Sequence, residues 1–510
     1  MKNLVLPRIQ AMSPYEPPLD GRSVFDGLLL DFNERTTTPS ANAVIVNQPQ
    51  LYPEYFDLTA KIATYVGVQN NMVMITNGTD QAIDVIFRTF ADRDDTIIIP
   101  EPTFAMYRQY AQVNGNQIVS PLYKPDTLAY PVEDILAAIN DDVKLVVVCN
   151  PNSPTGTLAS KIDIERIARK AKNSIVYIDE AYFEFSGETA VGLIDKYPNI
   201  IVSRTFSKAF GLAGLRIGYI MAQANYITEL LKVRGPYDVN QIAAQAASLA
   251  LNDQSSTKQY VNEVMQVAKP LLESFFKQSN TPFYVSSGNF ILFKPADAKL
   301  AAAILRQNGI LVRPQNKPGV ENRLRLTIGS TEQMQRFIEV YGARVLPQKY
   351  ALLDRDGTLI FEPQDTYQVD SLSKLKVLDG VIEGLQRLQQ QGYKLIMVSN
   401  QDGLGTDVFP LEDFETPQTA MLAAFQKAGI TFEQAFICPH LPADKCNCRK
   451  PKTGLLDDWL QTINLDSRQS FVSGDRKSDK ALADNLGLSF VPMKTNGSFA
   501  KSINNYLERN

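Results

Sequence analysis

The sequence predicts an α/β fold divided into two consecutive domains. At 510 residues, the chain is longer than a single hydrophobic core normally supports. Two separate regions each alternate short, β-branched apolar runs with helix-like periodicity, a pattern typical of parallel sheets covered by helices. A proline-containing break separates the two regions.

The strand and helix patterns follow in chain order. The first region has the apolar runs KLVVVCN (144–150), SIVYIDE (174–180) and NIIVSRT (199–205), with a helical pattern at 161–172. The second has YALLD (350–354), KLIMVSN (394–400) and SFVSGD (470–475), with helical spacing at 380–391 and 478–486. Between them, Pro347 disfavours a continued helix. We therefore expect domains at 1–346 and 350–510.

Composition narrows the class of protein. The chain is 44% apolar and 21% charged, with a formal net charge of -4, which gives no electrostatic reason to expect nucleic acid or an anionic membrane as a partner. Four cysteines in so long a chain do not make a disulfide framework. The sequence shows no signal peptide and no apolar run that would span a bilayer. We expect a cytoplasmic protein.

The stretch SRTFSKAFGLAGLRIGY (203–219) follows a predicted strand. The hydroxyls of Thr205 and Ser207 and the guanidinium of Arg216 suit a phosphate dianion. Lys208, lying among them, can condense covalently with an aldehyde. An aldehyde that carries a phosphate describes pyridoxal phosphate. Taken alone, a lysine on a solvated loop is the simpler interpretation.

Other segments add to the same interpretation. Asp179 ends a buried strand in YIDEAY, where a carboxylate needs a cationic partner such as a protonated pyridine nitrogen. Tyr182 is placed to donate to the phenolic oxygen of the cofactor, and Phe104 in PEPTFAMY to stack on its ring. Each has an alternative role, Asp179 as a helix cap and the aromatics as core residues.

The segment TNGTDQAID (76–84) reads as a loop that enters a helix. After a turn at Gly78, the backbone N–H groups of Thr79 and Asp80 are expected to bind phosphate. A plain turn at Gly78 is the alternative. All these signals in one order favour the cofactor site.

In these motifs the first region, roughly 1–345, resembles the fold-type I aminotransferases, and most closely the histidinol-phosphate aminotransferases. Further motifs that carry the resemblance are SPY (13–15), LYPE (51–54), NPNSPTG (150–156), VRPQNKPG (312–319) and LRLTIG (324–329). The resemblance implies a large parallel-sheet domain with a smaller α+β domain. It also implies a homodimer in which Tyr52 reaches the cofactor phosphate of the partner subunit.

The resemblance also implies residue roles. Lys208 holds the cofactor and moves a proton, Asp179 binds the pyridinium, and Tyr182 binds the phenolic oxygen together with Asn152. The family usually has asparagine directly before PTG, where this chain has Ser153, so either residue can be the one that meets the cofactor. The substrate-binding residues it implies are Tyr15, Asn33, Arg313 and Arg325.

In the second region, LLDRDGTLI (352–360) ends an apolar strand with two aspartates, Asp354 and Asp356. Carboxylates at the end of a parallel strand lie where open α/β folds bind ligands, and their repulsion favours a cation such as Mg²⁺. VSGDRKSD (472–479) supplies Asp475 and Asp479 after another strand. Helix caps and turns are the common alternatives.

With Ser399, Lys450 and Asp475 in sequence order, this region resembles the haloacid dehalogenase superfamily. NQDGLGTDVFP (400–410) and CPHLPADKCNCRKPK (438–452) narrow the resemblance to histidinol-phosphatases. It implies that Asp354 attacks phosphorus and that Asp356 is the acid and base. Mg²⁺ would be held by Asp354, the Asp356 carbonyl and Asp475, phosphoryl oxygens by Ser399 and Lys450, and substrate by Asn400 and Arg449.

Three of the four cysteines and the one histidine of the chain fall within CPHLPADKCNC (438–448). Three thiolates and an imidazole complete a tetrahedral zinc shell, and a closed shell predicts a structural metal. The ligands would be Cys438, His440, Cys446 and Cys448. Three buried cysteines with a hydrogen-bonded histidine are the alternative, and Cys149 is expected in the core.

Together the resemblances imply consecutive reactions of histidine biosynthesis. The first interconverts imidazole-acetol phosphate and histidinol phosphate, with glutamate and 2-oxoglutarate, and the second hydrolyses histidinol phosphate to histidinol. One alternative is an aminotransferase for an aromatic amino acid joined to a sugar-phosphate phosphatase. Another is a binding or regulatory module without catalysis, against which Lys208 and Asp354 argue.

Overall fold

The computed structural model describes residues 6–13, 22–38 and 50–508. The chain forms two compact units, Met1–Glu339 and Val340–Asn510. This division lies close to the boundary that Pro347 predicts. Within the described ranges, no helix is both long enough and apolar enough to cross a membrane.

Where it is described, the first unit contains a large sheet, which matches the predicted pattern, and two smaller sheets. Its strands are β1 Leu28–Leu29, β2 Val73–Thr76, β3 Thr96–Ile98, β4 Gln117–Val119, β5 Val143–Cys149, β6 Ile175–Asp179, β7 Ile200–Thr205, β8 Gly218–Met221, β9 Phe283–Tyr284, β10 Phe290–Phe293, β11 Ile310–Leu311, β12 Arg313–Gln315 and β13 Arg323–Thr327. Among the described residues, seven of them form one sheet in the order β2-β8-β7-β6-β5-β3-β4. Strand β8 is antiparallel to both neighbours, and the others run parallel.

A second, antiparallel sheet has the order β12-β13-β10-β9, and β1 pairs with β11. These strands form the smaller α+β part of the unit that the resemblance implies. The large and small parts together give the fold-type I arrangement that the sequence predicts.

Helices cover the sheets of the first unit. They are α1 Pro7–Gln10, α2 Phe56–Val66, α3 Gly78–Phe90, α4 Ala105–Asn114, α5 Val132–Ala138, α6 Lys161–Lys170, α7 Phe183–Ser186, α8 Ala224–Val233, α9 Gln241–Asn252, α10 Ser255–Asn262, α11 Lys269–Gln278, α12 Ala298–Gln307 and α13 Thr331–Val340. Helix α6 shows how the sequence sets such an element. The hydroxyl of Ser160 accepts from the Asp163 backbone N–H, which satisfies a donor of the first turn. The buried side chains of Ile164, Ile167 and Ala168 then join the sheet core.

The second unit is a parallel sheet with helices between its strands. The strands are β14 Lys349–Leu353, β15 Tyr393–Asn400, β16 Phe432–Cys438, β17 Phe471–Gly474 and β18 Ser489–Pro492, and the helices are α14 Val381–Gln390, α15 Leu411–Lys427, α16 Asp457–Leu460, α17 Lys477–Leu486 and α18 Phe499–Leu507. The strand order is β16-β15-β14-β17-β18, and every pair is parallel. The predicted strands and helices of this region are therefore confirmed.

Strand order places the candidate sites. In the first unit, β5 pairs with β6 and β6 with β7, in a register that sets Asp179 beside both Cys149 and Ser203. In the second unit, β14 lies between β15 and β17. In such open sheets, ligands bind at the carboxyl ends of the strands, at the point where the connections from two neighbouring strands go to opposite sides of the sheet.

Candidate active sites

A pocket in the first unit brings together most of the predicted cofactor residues. They come from the ends of β5, β6 and β7, the start of α3 and the loop before α4. The pocket is lined by Thr79, Asp80, Phe104, Tyr107, Cys149, Ser153, Asp179, Ala181, Tyr182, Thr205, Ser207, Lys208 and Arg216. Tyr107, Cys149 and Ala181 were not predicted there; Tyr107 and Ala181 lie three residues from Phe104 and two from Asp179.

One end of this pocket carries donors for an anion. Helix α3 begins at Gly78, so the N–H groups of its first turn are unsatisfied within the helix. The hydroxyl of Thr79 is buried and has no hydrogen-bond partner among the described residues. A Cβ on Gly78 would lie 2.7 Å from Arg216 Nη2, and Gly78 has a φ of +75°, so glycine is needed for this close approach.

The hydroxyl groups and the guanidinium of the predicted phosphate site line the same pocket. Thr205 donates to Ser207 Oγ across 2.9 Å, and Arg216 Nη2 lies 2.9 Å from Asp80 Oδ2. A helix N-terminus, three hydroxyls and a guanidinium form a cradle that fits a phosphate dianion.

The other end of the pocket holds a buried carboxylate. Asp179 is 3% exposed; its Oδ2 accepts from the Tyr107 hydroxyl across 2.7 Å and its Oδ1 from the Ala181 backbone N–H across 3.1 Å. Burial raises the pKa of Asp179 to about 6, although these hydrogen bonds oppose the rise. A cationic ring nitrogen would restore the ionised form. The pocket therefore fits pyridoxal phosphate at both ends.

Lys208 lies between these ends. Its Nζ donates to the Phe32 carbonyl across 2.8 Å and lies 5.7 Å from the centroid of the Tyr182 ring. The Tyr182 hydroxyl accepts from Asn33 Nδ2 across 3.0 Å. Asn33 is fully buried and also bonds Thr327, so it orients Tyr182, and its substrate contact stays a prediction.

The structure separates the two candidates in NPNSPTG. Asn152 is fully buried, and its amide bonds Thr103, Pro102 and Thr155. Ser153 instead lines the pocket. Asn152 therefore holds the surrounding loops together and Ser153 lines the pocket, and which of the two contacts the cofactor stays a prediction.

Two of the predicted substrate-binding residues are arginines of the smaller sheet. Arg313 and Arg325 lie directly opposite each other on β12 and β13, an arrangement that is unfavourable for like charges. Arg325 donates to Ser153 Oγ at 3.0 Å and to the Asp31 carbonyl at 2.6 Å. Arg313 lies 5.6 Å from the Phe32 ring centroid. The bond to Ser153 places Arg325 beside the cofactor pocket.

Tyr52, another predicted residue, does not line this pocket. Tyr52 is 74% exposed and stacks on Tyr237 with ring centroids 4.3 Å apart. Tyr15 lies outside the described residues. The predicted role of Tyr52 at a partner subunit stays a prediction.

The second unit has its own polar pocket at the ends of β14, β15 and β17. Lys450 Nζ lies 2.7 Å from Asp354 Oδ1 and 2.6 Å from Asp479 Oδ1. Asn400 accepts from the Lys450 backbone N–H across 3.0 Å. The lining residues are Asp354, Asp356, Glu362, Thr366, Tyr367, Gln368, Ser399, Asn400, Gln401, Asp402, Pro442, Arg449, Lys450, Arg476 and Ser478.

Carboxylates outnumber cations at the base of this pocket. Oxygen atoms of Asp354, Asp475 and Asp479 lie within 4.8 Å of one another. Burial raises the pKa of Asp354 to about 8, with Lys450 opposing and Asp479 adding to the rise. Burial alone lowers the pKa of Lys450, but Asp354 and Asp479 outweigh it and raise that pKa. Lys450 contacts two of the three carboxylates and Arg476 of this pocket pairs with Glu362, so negative charge remains that suits Mg²⁺ and its oxygen ligands.

The four predicted zinc ligands converge. Cys438 Sγ lies 3.7 Å from His440 Nδ1, 3.8 Å from Cys446 Sγ and 3.4 Å from Cys448 Sγ. Zinc–sulfur bonds of about 2.3 Å place the sulfurs of a tetrahedral site roughly 3.8 Å apart. The donor set and its spacing therefore fit zinc, and no disulfide joins these cysteines.

Arg449 connects the cysteine cluster to the pocket. Its Nη1 donates to the His440 carbonyl across 3.0 Å, and its guanidinium pairs with the Asp402 carboxylate. Residues that sequence reasoning missed include Gln401 and Glu362, whose carboxylate pairs with Arg476. Gln401 lies inside the quoted NQDGLGT motif, and its position directly after the strand was the available signal.

The fold and the first pocket define an enzyme that binds pyridoxal phosphate. Residues 45–340 match the family model of aminotransferase class I and II, and the chain belongs to this family. Residues 349–495 match the family model of polynucleotide kinase 3 phosphatase. The second unit is thus similar to a phosphatase domain.

Individual relatives match the first unit. The histidinol-phosphate aminotransferase of Thermoanaerobacter sp. (strain X514) is 38% identical over 290 residues, which are 56% of this chain and 82% of that protein. The histidinol-phosphate aminotransferase of Lactiplantibacillus plantarum is 34% identical over 359 residues, which are 66% of this chain and 99% of that protein.

Solved structures share the fold. Histidinol-phosphate aminotransferase from Sinorhizobium meliloti, in complex with pyridoxal-5'-phosphate, has a TM-score of 0.58 at 22% identity and covers 66% of this chain and 96% of its own. Aspartate aminotransferase from Thermus thermophilus, with maleate, has a TM-score of 0.56 at 22% identity and covers 67% and 99%.

Proposed function

We propose that this chain is a bifunctional enzyme of histidine biosynthesis. Its first unit transfers an amino group between glutamate and imidazole-acetol phosphate, giving histidinol phosphate and 2-oxoglutarate. Its second unit then hydrolyses histidinol phosphate to histidinol and phosphate with Mg²⁺. The observation that carries the proposal is a cofactor pocket beside paired arginines in one unit and an aspartate–lysine site in the other.

The substrate of the first reaction is inferred from charge and from relatives. Arg313 and Arg325 lie opposite each other, and both substrates of a histidinol-phosphate aminotransferase bring an anionic end group, a phosphate or a side-chain carboxylate. Relatives up to 38% identical to the chain carry that activity in their names. An aromatic amino acid brings a single carboxylate of charge -1, whereas the phosphate of histidinol phosphate carries about -1.5 to -2 and three acceptor oxygens, so the arginine pair favours histidinol phosphate.

In the first reaction the residues of this chain bind, orient and move a proton. Bound pyridoxal phosphate supplies an electron sink that stabilises negative charge on the substrate carbon. Asp179 holds the ring nitrogen in its protonated form, and Phe104 packs against the ring. The Lys208 amine accepts the proton from the substrate carbon and returns it during transfer of the amino group.

In the second reaction Asp354 is the nucleophile. Its carboxylate attacks phosphorus, the bond from phosphorus to the alkoxide oxygen breaks, and Asp356 gives the leaving oxygen a proton. Water then attacks the phosphorylated Asp354, Asp356 takes up the proton, and phosphate leaves. Lys450 and Ser399 stabilise the phosphoryl oxygens. Asp354 and Asp475 would hold Mg²⁺, with the Asp356 carbonyl.

Zinc at the cysteine cluster is proposed as structural. The ligand residues are joined through Arg449 to Asp402 and through the chain to Lys450, so the metal orders the residues that line the pocket. Apparent binding free energies of about 10–16 kcal/mol for structural zinc are ample for this.

A homodimer through the first unit is also proposed. The exposed Tyr52, stacked on Tyr237, presents a hydroxyl and an aromatic face at the surface of one subunit. In the dimer this tyrosine reaches the cofactor phosphate of the partner subunit.

The decisive assay gives the purified chain imidazole-acetol phosphate, glutamate, pyridoxal phosphate and Mg²⁺, and measures histidinol and phosphate. The proposal expects both products, with histidinol phosphate accumulating when Mg²⁺ is chelated. A sugar phosphate and a 3'-phosphorylated oligonucleotide are tested in parallel. Faster hydrolysis of either would overturn the proposed phosphatase substrate and leave the transamination to be judged separately.

A further inference from the structure

Gln401 is a buried glutamine that the proposed reaction scheme does not use. It directly follows β15 and is 3% exposed. Its side-chain nitrogen donates to Asp356 Oδ2 across 2.6 Å and to Ser399 Oγ across 2.8 Å. We propose that Gln401 is a positioning residue that aligns the acid–base carboxyl group of Asp356 and the hydroxyl of Ser399. The inference rests on the proposed phosphatase function.

The direction of these bonds follows from their acceptors. An ionised carboxylate can only accept, so the amide nitrogen and not the amide oxygen of Gln401 must face Asp356. The same nitrogen then makes Ser399 Oγ an acceptor. The Ser399 hydroxyl hydrogen is thereby left to point elsewhere, which is what a donor to a phosphoryl oxygen requires.

Gln401 also distinguishes the two oxygens of Asp356. Arg355, fully buried, contacts both oxygens nearly equally, at 3.1 Å and 3.2 Å, and therefore does not distinguish one oxygen from the other. The shorter bond from Gln401 fixes Oδ2 as an acceptor. The two oxygens therefore differ, since Oδ2 accepts from both Gln401 and Arg355 and Oδ1 accepts from Arg355 alone.

The backbone of Gln401 ties it to the cysteine cluster. Its N–H donates to the carbonyl of Cys438 across 2.8 Å, and Gly403 N–H donates to the carbonyl of Pro439 across 3.0 Å. Gln401 is thus held between the proposed zinc loop and Asp356. A metal-ordered loop can in this way set the position of a proton donor.

The test compares two leaving groups in the full-length, metal-loaded chain. Histidinol phosphate releases an alkoxide that needs a proton, whereas p-nitrophenyl phosphate releases a phenolate that does not. With Gln401→Leu, kcat/KM for histidinol phosphate should fall roughly 10- to 100-fold, in line with the loss from a misplaced catalytic group. For p-nitrophenyl phosphate the loss should be at least about threefold smaller, because that step needs no acid and is affected only by the displacement of Ser399.

Controls separate positioning from folding. Gln418→Leu removes another buried glutamine amide, one that bonds Met397 Sδ at 3.4 Å, and should leave both values unchanged. Gln401→Glu keeps the shape but replaces the donor by an acceptor, and should show at least the selective loss of Gln401→Leu. Zinc content and aminotransferase activity of every variant report an intact chain.

The kcat/KM values for the two esters and the zinc content decide the inference. A selective loss for histidinol phosphate in either Gln401 variant that retains zinc supports the inference. Equal losses for the two esters, no loss, or loss of zinc in both variants overturns it. If the unsubstituted chain hydrolyses neither ester, the proposed phosphatase function itself fails.

Discussion

Each unit has a buried aspartate at a strand end, and the two aspartates differ in the groups that contact them. Asp179 is contacted by a tyrosine hydroxyl and a backbone N–H, both neutral donors. Asp354 has the ammonium of Lys450 at 2.7 Å and two further carboxylates nearby. The described donors to Asp179 are thus neutral and a pyridinium would be its cationic partner, whereas Asp354 already has a cation but shares it with another carboxylate. We therefore expect a different kind of cofactor at each site, pyridoxal phosphate at the first and a divalent cation at the second.

The units also differ in how their sites are assembled. The first pocket draws on segments from Phe32 to Arg325, so each residue depends on the whole fold for its position. The second pocket takes its key groups from short motifs at the ends of adjacent strands. We therefore expect changes to the loop at 438–448, or removal of its proposed zinc, to reduce phosphatase activity and to leave transamination unchanged.

The largest expected effects come from removing Lys208 and Asp354 separately. Lys208→Ala should reduce transamination by about 10⁴-fold or more, since proton transfer is lost, and leave hydrolysis of histidinol phosphate intact. Asp354→Asn should do the reverse, because the nucleophile is lost. Both activities are measured on each variant. A variant that loses both would contradict the picture of two independent sites.

Loss of the zinc shell should give the next largest effect. Cys448→Ser removes one of four ligands, and the loop that carries Arg449 and Lys450 should lose its order. Phosphatase activity is expected to fall roughly 100-fold, as for a misplacement of about 1 Å, with transamination unchanged. Metal analysis should find zinc lost in this variant and retained in the control Cys149→Ser, whose cysteine belongs to the first unit. Full phosphatase activity without zinc would refute a role in ordering the site.

The missing cation beside Asp179 predicts a pH-dependent stability. Its pKa rises from 3.8 to about 6 on folding, so the folded state is penalised for ionising it. Stability of the cofactor-free protein should therefore fall as pH rises from about 4 to 6, and Asp179→Asn should escape this loss. Above pH 6 the variant should be more stable by up to about 3 kcal/mol.

The measurement is the unfolding midpoint of the cofactor-free first unit within the full chain, followed from pH 4 to 8. The gap between variant and unsubstituted protein should close near pH 4. Added pyridoxal phosphate should stabilise the unsubstituted protein more than the variant. The exposed Asp126→Asn is the matched control and should show no gap. A gap that does not change with pH would argue against burial as its cause.

How much the sequence predicts depends on distance along the chain. Short β-branched runs predict the strands that end at or shortly before Asp179, Lys208 and Asp354. Residues within a few positions of a strand end then converge, because the carboxyl ends of parallel strands lie at the same edge of the sheet. The zinc ligands converge for a similar reason, since they lie within eleven positions.

What the sequence leaves open are the pairings made by tertiary packing. Asn152 and Ser153 are neighbours, and only tertiary contacts such as the bond between Asn152 and Thr103 show that Ser153 is the one that lines the pocket. The bond from Gln401 to Asp356 joins residues 45 positions apart. Neither periodicity nor propensity reports such contacts.

The smallest expected effect tests the different roles of Ser153 and Asn152. Ser153→Ala removes an acceptor for Arg325 while the Asp31 carbonyl remains. A hydrogen bond to a charged group contributes about 1.5–3 kcal/mol at most, and the remaining acceptor should limit the loss. KM for glutamate and for imidazole-acetol phosphate should therefore rise about three- to tenfold with little change in kcat, because the arginine binds the ground state and the transition state alike. Asn152→Ala should instead lower stability, since its amide joins three segments. If Ser153→Ala lowered kcat and left KM unchanged, Ser153 would act on the reacting atoms and not through the arginine.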